Sequence, residues 1–324
     1  INQTVGSLPG QSLSLVAHDD TEFVELAGAI GLSAGSAGVG FALLVDVFNK
    51  DVRAVIGSNV RATVGGSVLV EAIARESFTM LAAGAAAASS AGVTGSFVVL
   101  IVNQGADSGT RAQILGGQAT PSIVEAGGNM TLTAQDDVRD SLLFAGGVAA
   151  GGTVGVGVST VVLVRTGKVD AGIAEYDRVV AKGSSGLSIT ATQSEDFEAI
   201  AVAGAAGGTA GVAGSATVAV HDNTTHAHID RGVVVNGDNL GAMATQGVAV
   251  RASDRTTSLG AAGQLALGGT AGVGAGADVQ VITKDTRAWI APGAAVAANG
   301  NVTVDADSFE KLTSISAGGS GGGT

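Results

Sequence analysis

The clearest pattern along the chain is a short alternation of apolar and polar residues that ends in alanine. Near the C-terminus it runs as Val302, Thr303, Val304, Asp305 and Ala306. A period of two places the two valines and the alanine on one face of a strand, and the threonine and aspartate on the other. Each such segment therefore predicts a β-strand with one buried face and one wet face.

This alternation recurs six times, and its alanines define a repeat. They lie 55, 62, 57, 61 and 54 residues apart, at Ala17, Ala72, Ala134, Ala191, Ala252 and Ala306. Two further markers follow in the same order five times. The first is a Gly-Val pair beginning at Gly38, Gly92, Gly155, Gly211 and Gly272, and the second is Ala-x-Ile beginning at Ala54, Ala112, Ala171, Ala227 and Ala288. Three markers in fixed order indicate tandem repeats of about 57 residues.

Such repeats predict an all-β fold, a β-solenoid of the parallel β-helix type. One repeat cannot bury its apolar face alone, whereas stacked repeats bury a continuous core. One wide coil per repeat would advance the stack by ~4.8 Å, and three narrow coils would advance it by ~14 Å. The markers differ within a repeat but match across repeats, which favours one wide coil. The Gly/Ala-rich stretch of each repeat predicts a hairpin or a sharp corner. The pattern leaves open whether that stretch belongs to the coil or projects from it.

We interpret residues 1–324 as a single continuous repeat array. The approximate repeats are 11–66, 67–128, 129–185, 186–246 and 247–300, with a partial repeat at 301–324. Ile1 lies 16 residues before Ala17, as Ile290 does before Ala306, so both ends fall inside a repeat. Neither end shows the polar cap that would protect unpaired strand edges. We therefore expect the chain to be a window on a longer array.

Composition narrows the class of protein. The chain has 52 glycines, 3 prolines, no cysteine and 46% hydrophobic residues, which are mainly Ala and Val. Small residues predict thin, closely spaced buried layers. A net charge of −12 argues against nucleic acid or anionic lipid as a partner. The charge-free stretches 144–164 and 199–220 contain too much glycine for membrane-spanning helices, and we expect strands there.

Histidines and the single tryptophan are the first candidates for a site. His226 and His228 form a workable zinc pair with His221 nearby, but no third ligand is evident. Both residues of the pair alternate with the inward alanine and isoleucine of the third marker, so we expect them to point to solvent. Trp289 occupies the position of His228 in the next repeat and should also face outward. It is either an interface anchor or, as we prefer, an isolated surface aromatic.

Acidic pairs are the second candidates. Asp19-Asp20 and Asp136-Asp137 could serve as glycosidase carboxylates or calcium ligands. Adjacent strand residues point to opposite faces, however, so neither pair presents two carboxylates to one substrate. Other acidic residues lie at similar offsets from the marker alanine, at Glu76, Glu195, Asp254 and Asp307. We interpret the conspicuous His and Asp residues as variable outward positions.

Glycine-rich runs and turn residues complete the search. The run 151–157 suggests a phosphate-binding loop, but no Lys-Ser/Thr follows it and related runs recur in every repeat. No dense Asp/Asn loop supplies the six or more oxygens that calcium needs. We therefore predict no catalytic, cofactor-binding or metal-binding residues, and we expect no cofactor. Weakly bound calcium at the repeat corners is the one alternative left open.

Three segments carry a family resemblance. They are 268–274 (GGTAGVG), 284–290 (KDTRAWI) and 300–304 (GNVTV). With these motifs the chain resembles the large filamentous adhesins secreted by bacteria, the filamentous haemagglutinin-like and leukotoxin-type proteins whose passengers are repeat-built β-helices. The resemblance spans nearly the whole chain. It implies export to the cell surface, a fibre-like shape and an adhesive or matrix role.

The function we expect is a structural or adhesive fibre segment of a bacterial cell-surface or secreted protein, holding binding regions away from the cell. We expect an extracellular protein that is not an enzyme. Its partners would be neighbouring repeats, identical chains, and host or cell-surface receptors or glycans, with no nucleic acid and no membrane-spanning helix. The main alternative is a self-assembling filament or sheath subunit. A β-helix that binds or cleaves polysaccharide is less favoured, because no coil carries its own set of acidic or aromatic residues.

Overall fold

The protein was analysed as a computed structural model that describes residues 10–105 and 108–323. Ile1, which the repeat pattern places inside a marker, lies outside the described residues. Within them, the strands pair in parallel and form three sheets that run along the stack. The predicted all-β solenoid is confirmed.

The first sheet, here called the long sheet, receives one strand of 21 or 22 residues from each coil. In stacking order its strands are β1 (Leu13–Ser33), β5 (Val68–Ala88), β9 (Met130–Gly151), β12 (Leu187–Gly207), β15 (Val248–Gly268) and β18 (Val302–Gly322). Strand β9 has one residue more than its neighbours, and its register shifts opposite Glu195 and Phe197. Asp140 lies in this bulge with a φ of 45°.

The second sheet, the opposite sheet, packs against the long sheet. Its strands are β2 (Ala37–Asn49), β3 (Val52–Ile56), β6 (Ala91–Asn103), β7 (Thr110–Ile114), β10 (Val154–Ile173), β13 (Ala210–Ile229) and β16 (Ala271–Ile290). In the first two coils the strand is divided, so that β3 and β7 continue the paths of β2 and β6. From β10 onward one uninterrupted strand of 20 residues serves both parts.

The third sheet, the short sheet, closes one end of each coil. Its strands are β4 (Arg61–Val64), β8 (Ile123–Ala126), β11 (Arg178–Ala181), β14 (Val234–Val235) and β17 (Ala295–Val296). The turn that leads into it has a left-handed residue three positions after the marker isoleucine in four coils, at Asn59, Tyr176, Gly232 and Gly293. Asn and Gly tolerate this conformation at little cost, which favours a turn at this corner.

The register confirms one wide coil per repeat. Ala17 lies opposite Ala72, and the remaining marker alanines continue the same column. The Gly-Val and Ala-x-Ile markers also stack on their equivalents, as Gly155 does on Gly211 and Ala171 on Ala227. The residues identified as repeat markers are therefore the residues that lie directly above one another.

One end of each coil encloses a three-sided core. Inward residues from all three sheets meet there, such as Val70 and Leu132 from the long sheet, Ile114 from the opposite sheet and Val124 from the short sheet. All four are fully buried. Burial of each large aliphatic side chain contributes roughly 1.5–3 kcal/mol, which makes this core the main source of apolar stabilisation.

The other end of each coil is a flat wing. We define the wing as the second half of each long-sheet strand, such as 78–88, together with the first half of the opposite-sheet strand that follows, such as 91–102. Its inward side chains are Phe78, Met80 and Leu100 near the middle of the coil. Towards the edge they become alanine and glycine, as at Ala205 and Ala213. The predicted thin layers of small residues are thus confirmed.

The wing ends in a sharp corner of two residues, such as Gly208 and Thr209. A Cβ added at Gly207 would lie 1.9 Å from the carbonyl oxygen of Ala210, and one added at Gly211 would lie 2.1 Å from that of Leu267. Glycine is needed because backbone atoms of the two sheets occupy the space of a side chain. The prediction of a sharp corner is confirmed, and the wing belongs to every coil.

The two charge-free stretches form this wing. Residues 144–164 run along the end of β9, around the corner at Gly152 and Thr153, and into β10; residues 199–220 follow the same path from β12 into β13. Both are strands, as predicted. The glycine-rich run 151–157 has a structural role, because a Cβ at Gly151 would meet the carbonyl oxygen of Val154 at 1.9 Å.

Candidate functional site: a buried charge column and a histidine cluster

Charged and polar side chains form a column between the apolar cluster of the three-sided core and that of the wing. Its charged or titratable members, here called the charge column, are Lys50, Glu76, Asp136, Arg165, Glu195, His221, Asp254 and Lys284. The acids project from the long sheet, at positions two or four residues after the marker alanine. The bases project from the opposite sheet. All point inward, because each lies an even number of residues from a buried marker.

Arg165 is at the centre of the charge column. Its guanidinium contacts carboxylates from three successive coils: Nη1 lies 3.6 Å from Oε2 of Glu76, Nη2 lies 2.9 Å from Oδ1 of Asp136, and Nε lies 2.5 Å from Oε1 of Glu195. None of these four side chains is exposed to solvent. One cation therefore links three coils through charge-assisted contacts.

The four groups at this centre have shifted pKa values. Burial raises the pKa of Glu76 to about 7, with repulsion from Asp136 adding to the rise. Burial also raises the pKa of Asp136, against the attraction of Arg165. For Glu195, the attraction of Arg165 and a hydrogen bond with His221 outweigh burial and lower the pKa. The firmest ion pair in the column is therefore Arg165 with Glu195.

His221 belongs to the same coil as Glu195, the fourth, and pairs with it inside the column. Its Nδ1 lies 2.9 Å from Oε2 of Glu195, and its ring packs against Phe197 with a centroid separation of 5.8 Å. Gln193 donates from Nε2 to Oε1 of the same carboxylate at 2.9 Å. Glu195 thus has three partners, which satisfies a carboxylate that has no access to water.

A lysine lies at each end of the charge column. Lys50, in the first coil, contacts Asp19, donates to Thr21 at 2.8 Å and lies 3.5 Å from Glu76. Lys284, in the fifth coil, lies 2.8 Å from Asp254 and 3.1 Å from Glu310 of the next coil. Ion pairs therefore link the first four coils and the last two. Between the fourth and fifth coils the Thr225 hydroxyl makes the connection, lying 3.1 Å from Oε1 of Gln193 and 3.4 Å from Oδ2 of Asp254.

The expectation that conspicuous His and Asp residues lie outward is wrong for this column. His221, Asp136 and Asp254 are fully buried. The signal was present in the sequence, because Asp136 lies two residues after inward Ala134 and His221 lies six before inward Ala227. Even spacing places them on the inward face. The separate prediction for the acidic pairs is confirmed: Asp19 contacts Lys50 inside, whereas Asp20 lies 3.5 Å from Arg75 outside.

The chemistry of the charge column favours stacking in register. No substrate reaches side chains without solvent exposure, and a buried charge that loses its partner is costly. A coil of alanine and valine alone could slip by two residues and still present a similar face to its neighbour. In this chain the same slip would separate Arg165 from its carboxylates. The column therefore penalises every register except one.

The surface histidines form a second cluster, on the outer face of the opposite sheet. His226 and His228 point outward, as predicted, but His228 is nearly buried, with 10% of its side chain exposed. Its ring stacks on Trp289 with a centroid distance of 4.9 Å and an angle of 11°. It also lies over Gly172 of the preceding coil, where an added Cβ would come within 2.3 Å of the ring. The expectation of an isolated tryptophan is wrong, because stacking brings the Trp289 ring against those of His226 and His228.

Each ring nitrogen of His228 lies within hydrogen-bond distance of a carboxylate. Nε2 lies 2.9 Å from Asp170 and Nδ1 lies 3.1 Å from Asp230. Burial alone would lower the pKa of His228, but these two acids raise it to about 9. The ring is thus a cation at neutral pH, and a cationic imidazolium does not bind zinc. In the part of the chain that the structure describes, no three His, Asp or Glu side chains are grouped so as to hold a metal ion.

Comparisons with protein-family models, with curated proteins and with solved structures found no match to this chain. Its function is therefore inferred from the geometry. Across residues 10–105 and 108–323 there is no helix long and apolar enough to cross a bilayer.

Proposed function

We propose that this chain is a stiff structural segment of an extracellular bacterial fibre that presents binding regions at the cell surface. The observation that carries the proposal is the register of the stack. Marker residues lie directly above one another through six strands of the long sheet, and the charge column links the coils inside. Such an array is extended by adding coils and needs no change of cross-section.

The dimensions of the stack indicate a stiff segment that gains little length per residue. Each coil of about 57 residues advances the stack by ~4.8 Å, whereas a strand of 21 residues spans ~70 Å across it. Six long-sheet strands therefore make a slab that is wider than it is tall. A fibre built in this way gains little length per residue but presents broad faces and resists bending.

The remaining support is chemical. The described charge column has no exposed centre on which a substrate could act, which favours a structural role over catalysis. A net charge of −12 with no cysteine suits a soluble extracellular surface in either redox environment. The resemblance to secreted filamentous adhesins agrees with both features.

Immunogold labelling of the producing bacterium tests the proposal. Antibodies raised against the purified segment are applied to intact cells and, as a matched control, to permeabilised cells. We expect gold particles on intact cells, aligned along surface fibres or on material released into the medium. Label that appears only after permeabilisation would contradict the extracellular assignment. Release of reducing sugar from polysaccharides by the purified segment would contradict the structural one.

A further inference from the structure

The outer face of the wing on the opposite sheet is apolar. Strands β2, β6, β10, β13 and β16 each have five outward positions there, at Val39, Phe41, Leu43, Val45 and Val47 and their equivalents in the register. Glycine or alanine occupies five of these positions, at Gly95, Gly214, Ala216, Ala275 and Ala277. We call these 25 positions, five on each of five strands, the valine face. This face differs from the polar outer face that the marker strands were predicted to have.

Three columns of the valine face consist only of valine and isoleucine. They are Val39, Val93, Val156, Val212 and Val273; Val45, Val99, Val162, Val218 and Val279; and Val47, Ile101, Val164, Val220 and Val281. Among all 25 positions only Thr160 has a polar side chain, and none is charged. The inner face of the same strands already packs on the long sheet, so inner packing does not account for these valines.

The valine face is exposed and large. Val45, Val47 and Val279, on the two edge strands of the sheet, are 54%, 58% and 49% exposed, and Val162 and Val218, on the inner strands, are partly exposed. Nine residues along each strand and five strands across give a patch of ~30 by ~24 Å, or ~700 Å². The largest apolar patch on a monomer is typically ~300–600 Å², and a stable interface buries ~600–1,000 Å² on each partner. The patch thus has the area that one protein interface needs.

We propose that the valine face of one copy packs against the valine face of a second copy. Two flat sheets with matching rows of β-branched side chains can interdigitate at the ~10 Å separation of packed sheets. Each copy keeps its charged residues outside the contact, so the acidic chains meet without burying charge. This inference goes beyond the proposed fibre role, because it adds a lateral contact between fibres.

The residues beside the valine face favour a protein partner over a lipid surface. The neighbouring column is Asn49, Asn103, Thr166, Asp222 and Thr283. It contains no Lys or Arg to bind lipid headgroups and no Trp or Tyr to anchor in the interface. Neutral and acidic side chains at the edge of an apolar patch are instead typical of the polar rim of a protein interface.

The outer face of the wing on the long sheet is also apolar, but many of its side chains are smaller. One of its columns is Gly28, Ala83, Gly146, Val202, Gly263 and Ala317, and another includes Glu198. Leu26, Ile30 and Leu32 are exposed on this side, but glycine and alanine occupy most of the positions equivalent to Ile30 and Leu32 in the other coils. The denser rows of β-branched side chains favour the valine face as the contact between two copies.

Sedimentation velocity of the purified segment at a series of concentrations tests the inference. We expect the wild type to form a dimer. The double variant Val162→Lys and Val218→Lys, which places two charges at the centre of the face in adjacent coils, should raise the dissociation constant at least 100-fold. The matched control is Thr133→Lys with Thr190→Lys, outward positions in the same two coils on the long sheet. The control should dimerise as the wild type does.

Circular dichroism and chemical unfolding establish that the variants fold. If the lysine variant does not fold, the near-isosteric Val162→Thr with Val218→Thr replaces it and should weaken the dimer about tenfold. A wild type that stays monomeric up to millimolar concentration overturns the inference and leaves the fibre role untouched. If the lysine variant still dimerises, the contact is made by the strand edges at the ends of the stack and not by the valine face, which also overturns the inference. The inference is overturned as well if the protein is a monomer that cosediments with phosphatidylcholine vesicles and loses this binding when the valines are replaced.

Discussion

The three-sided core and the wing use the same alternating strands in opposite ways. In the three-sided core, large aliphatic residues such as Val70 and Leu132 point inward and threonines such as Thr133 and Thr190 point outward. Near the edge of the wing, alanine and glycine point inward and valine points outward. The difference follows from the spacing of the sheets, because backbones that approach closely leave no room for large inward side chains.

The comparison shows that apolar composition alone does not identify the buried face. A valine column marks the inside of the three-sided core and the outside of the wing. The charge column lies where these two regimes meet. Four predictions separate the contributions of these regions to the free energy of unfolding, beginning with the boundary.

Removal of the central cation should have the largest effect. Arg165→Met leaves Glu76, Asp136 and Glu195 buried without their shared partner, and loss of one member of a buried ion pair costs ~3–5 kcal/mol. Equilibrium unfolding in urea measures this loss. Arg251→Met, at an exposed position on β15, is the matched control and should change stability by less than ~0.5 kcal/mol. A loss below ~1 kcal/mol for Arg165→Met would show that the column does not hold the coils together.

The pH dependence of stability should report the same centre. Because the pKa of Glu76 is raised from 4.5 to about 7, the folded state keeps a proton that the unfolded state releases first. Stability from this group is fully present below pH 4.5 and is lost as the pH rises through 7, by a few kcal/mol. The raised pKa of Asp136 acts in the same direction.

The variant Glu76→Gln should reduce this decline, because glutamine stays neutral throughout. Urea unfolding at pH 4.5, 5.5, 6.5 and 7.5 provides the measurement. Glu198→Gln, at an exposed outer position of β12, should retain the wild-type decline. Equal slopes for the wild type and Glu76→Gln would show that Glu76 titrates as a solvated carboxyl group.

The wing should be most sensitive at its corner. In Gly207→Ala the new Cβ meets the carbonyl oxygen of Ala210, so the backbone has to move, at a cost of ~1–3 kcal/mol. Gly263→Ala is the matched control in the next coil, because the nearest atom to its new Cβ is Cγ2 of Val202 at 4.0 Å. Thermal unfolding should distinguish the two variants. Equal stabilities would mean that the corner relaxes freely.

The smallest difference should come from exchanging valine for threonine. Val250→Thr in the three-sided core buries a hydroxyl group that has no room for water, and should cost ~1–2 kcal/mol. Val202→Thr on the outside of the wing is 44% exposed and should stay within ~0.5 kcal/mol. Comparable losses at both sites would indicate that the long-sheet side of the wing is covered as well.

The coil path could be predicted from the sequence because identical residues stack on one another. Ala17 and Ala72 can be recognised as equivalent positions from the sequence alone, before the sheets that contain them are known. The buried face of the marker strands could be predicted from alternation, since Val302 and Val304 alternate with polar neighbours. These matches favour one wide coil per repeat, which is confirmed by the register, but nothing in the matches shows that three sheets enclose the core.

The charge column and the valine face could not be predicted so directly. Arg165 and Glu195 are 30 residues apart and belong to different sheets, and no local pattern pairs them. Parity relative to the marker alanine would have placed Asp136 and His221 inside. In the wing, the side chains on both faces of a strand are apolar, as at neighbouring Val98 and Val99. The alternation of residue types therefore does not indicate which face is buried. Only the approach of the two sheets decides that.

The pairing of each strand with its equivalent one repeat away has a consequence for how the chain folds. Partners such as Ala134 and Ala191 are 57 residues apart, so a single coil has few contacts of its own with which to offset its chain entropy. An ordered coil, in contrast, presents three strand edges, together with a buried charge whose partner lies in the next coil, as Glu195 does for Arg165. Folding should then advance one coil at a time from an existing edge. If the chain is exported as proposed, each segment that emerges adds to the coil before it.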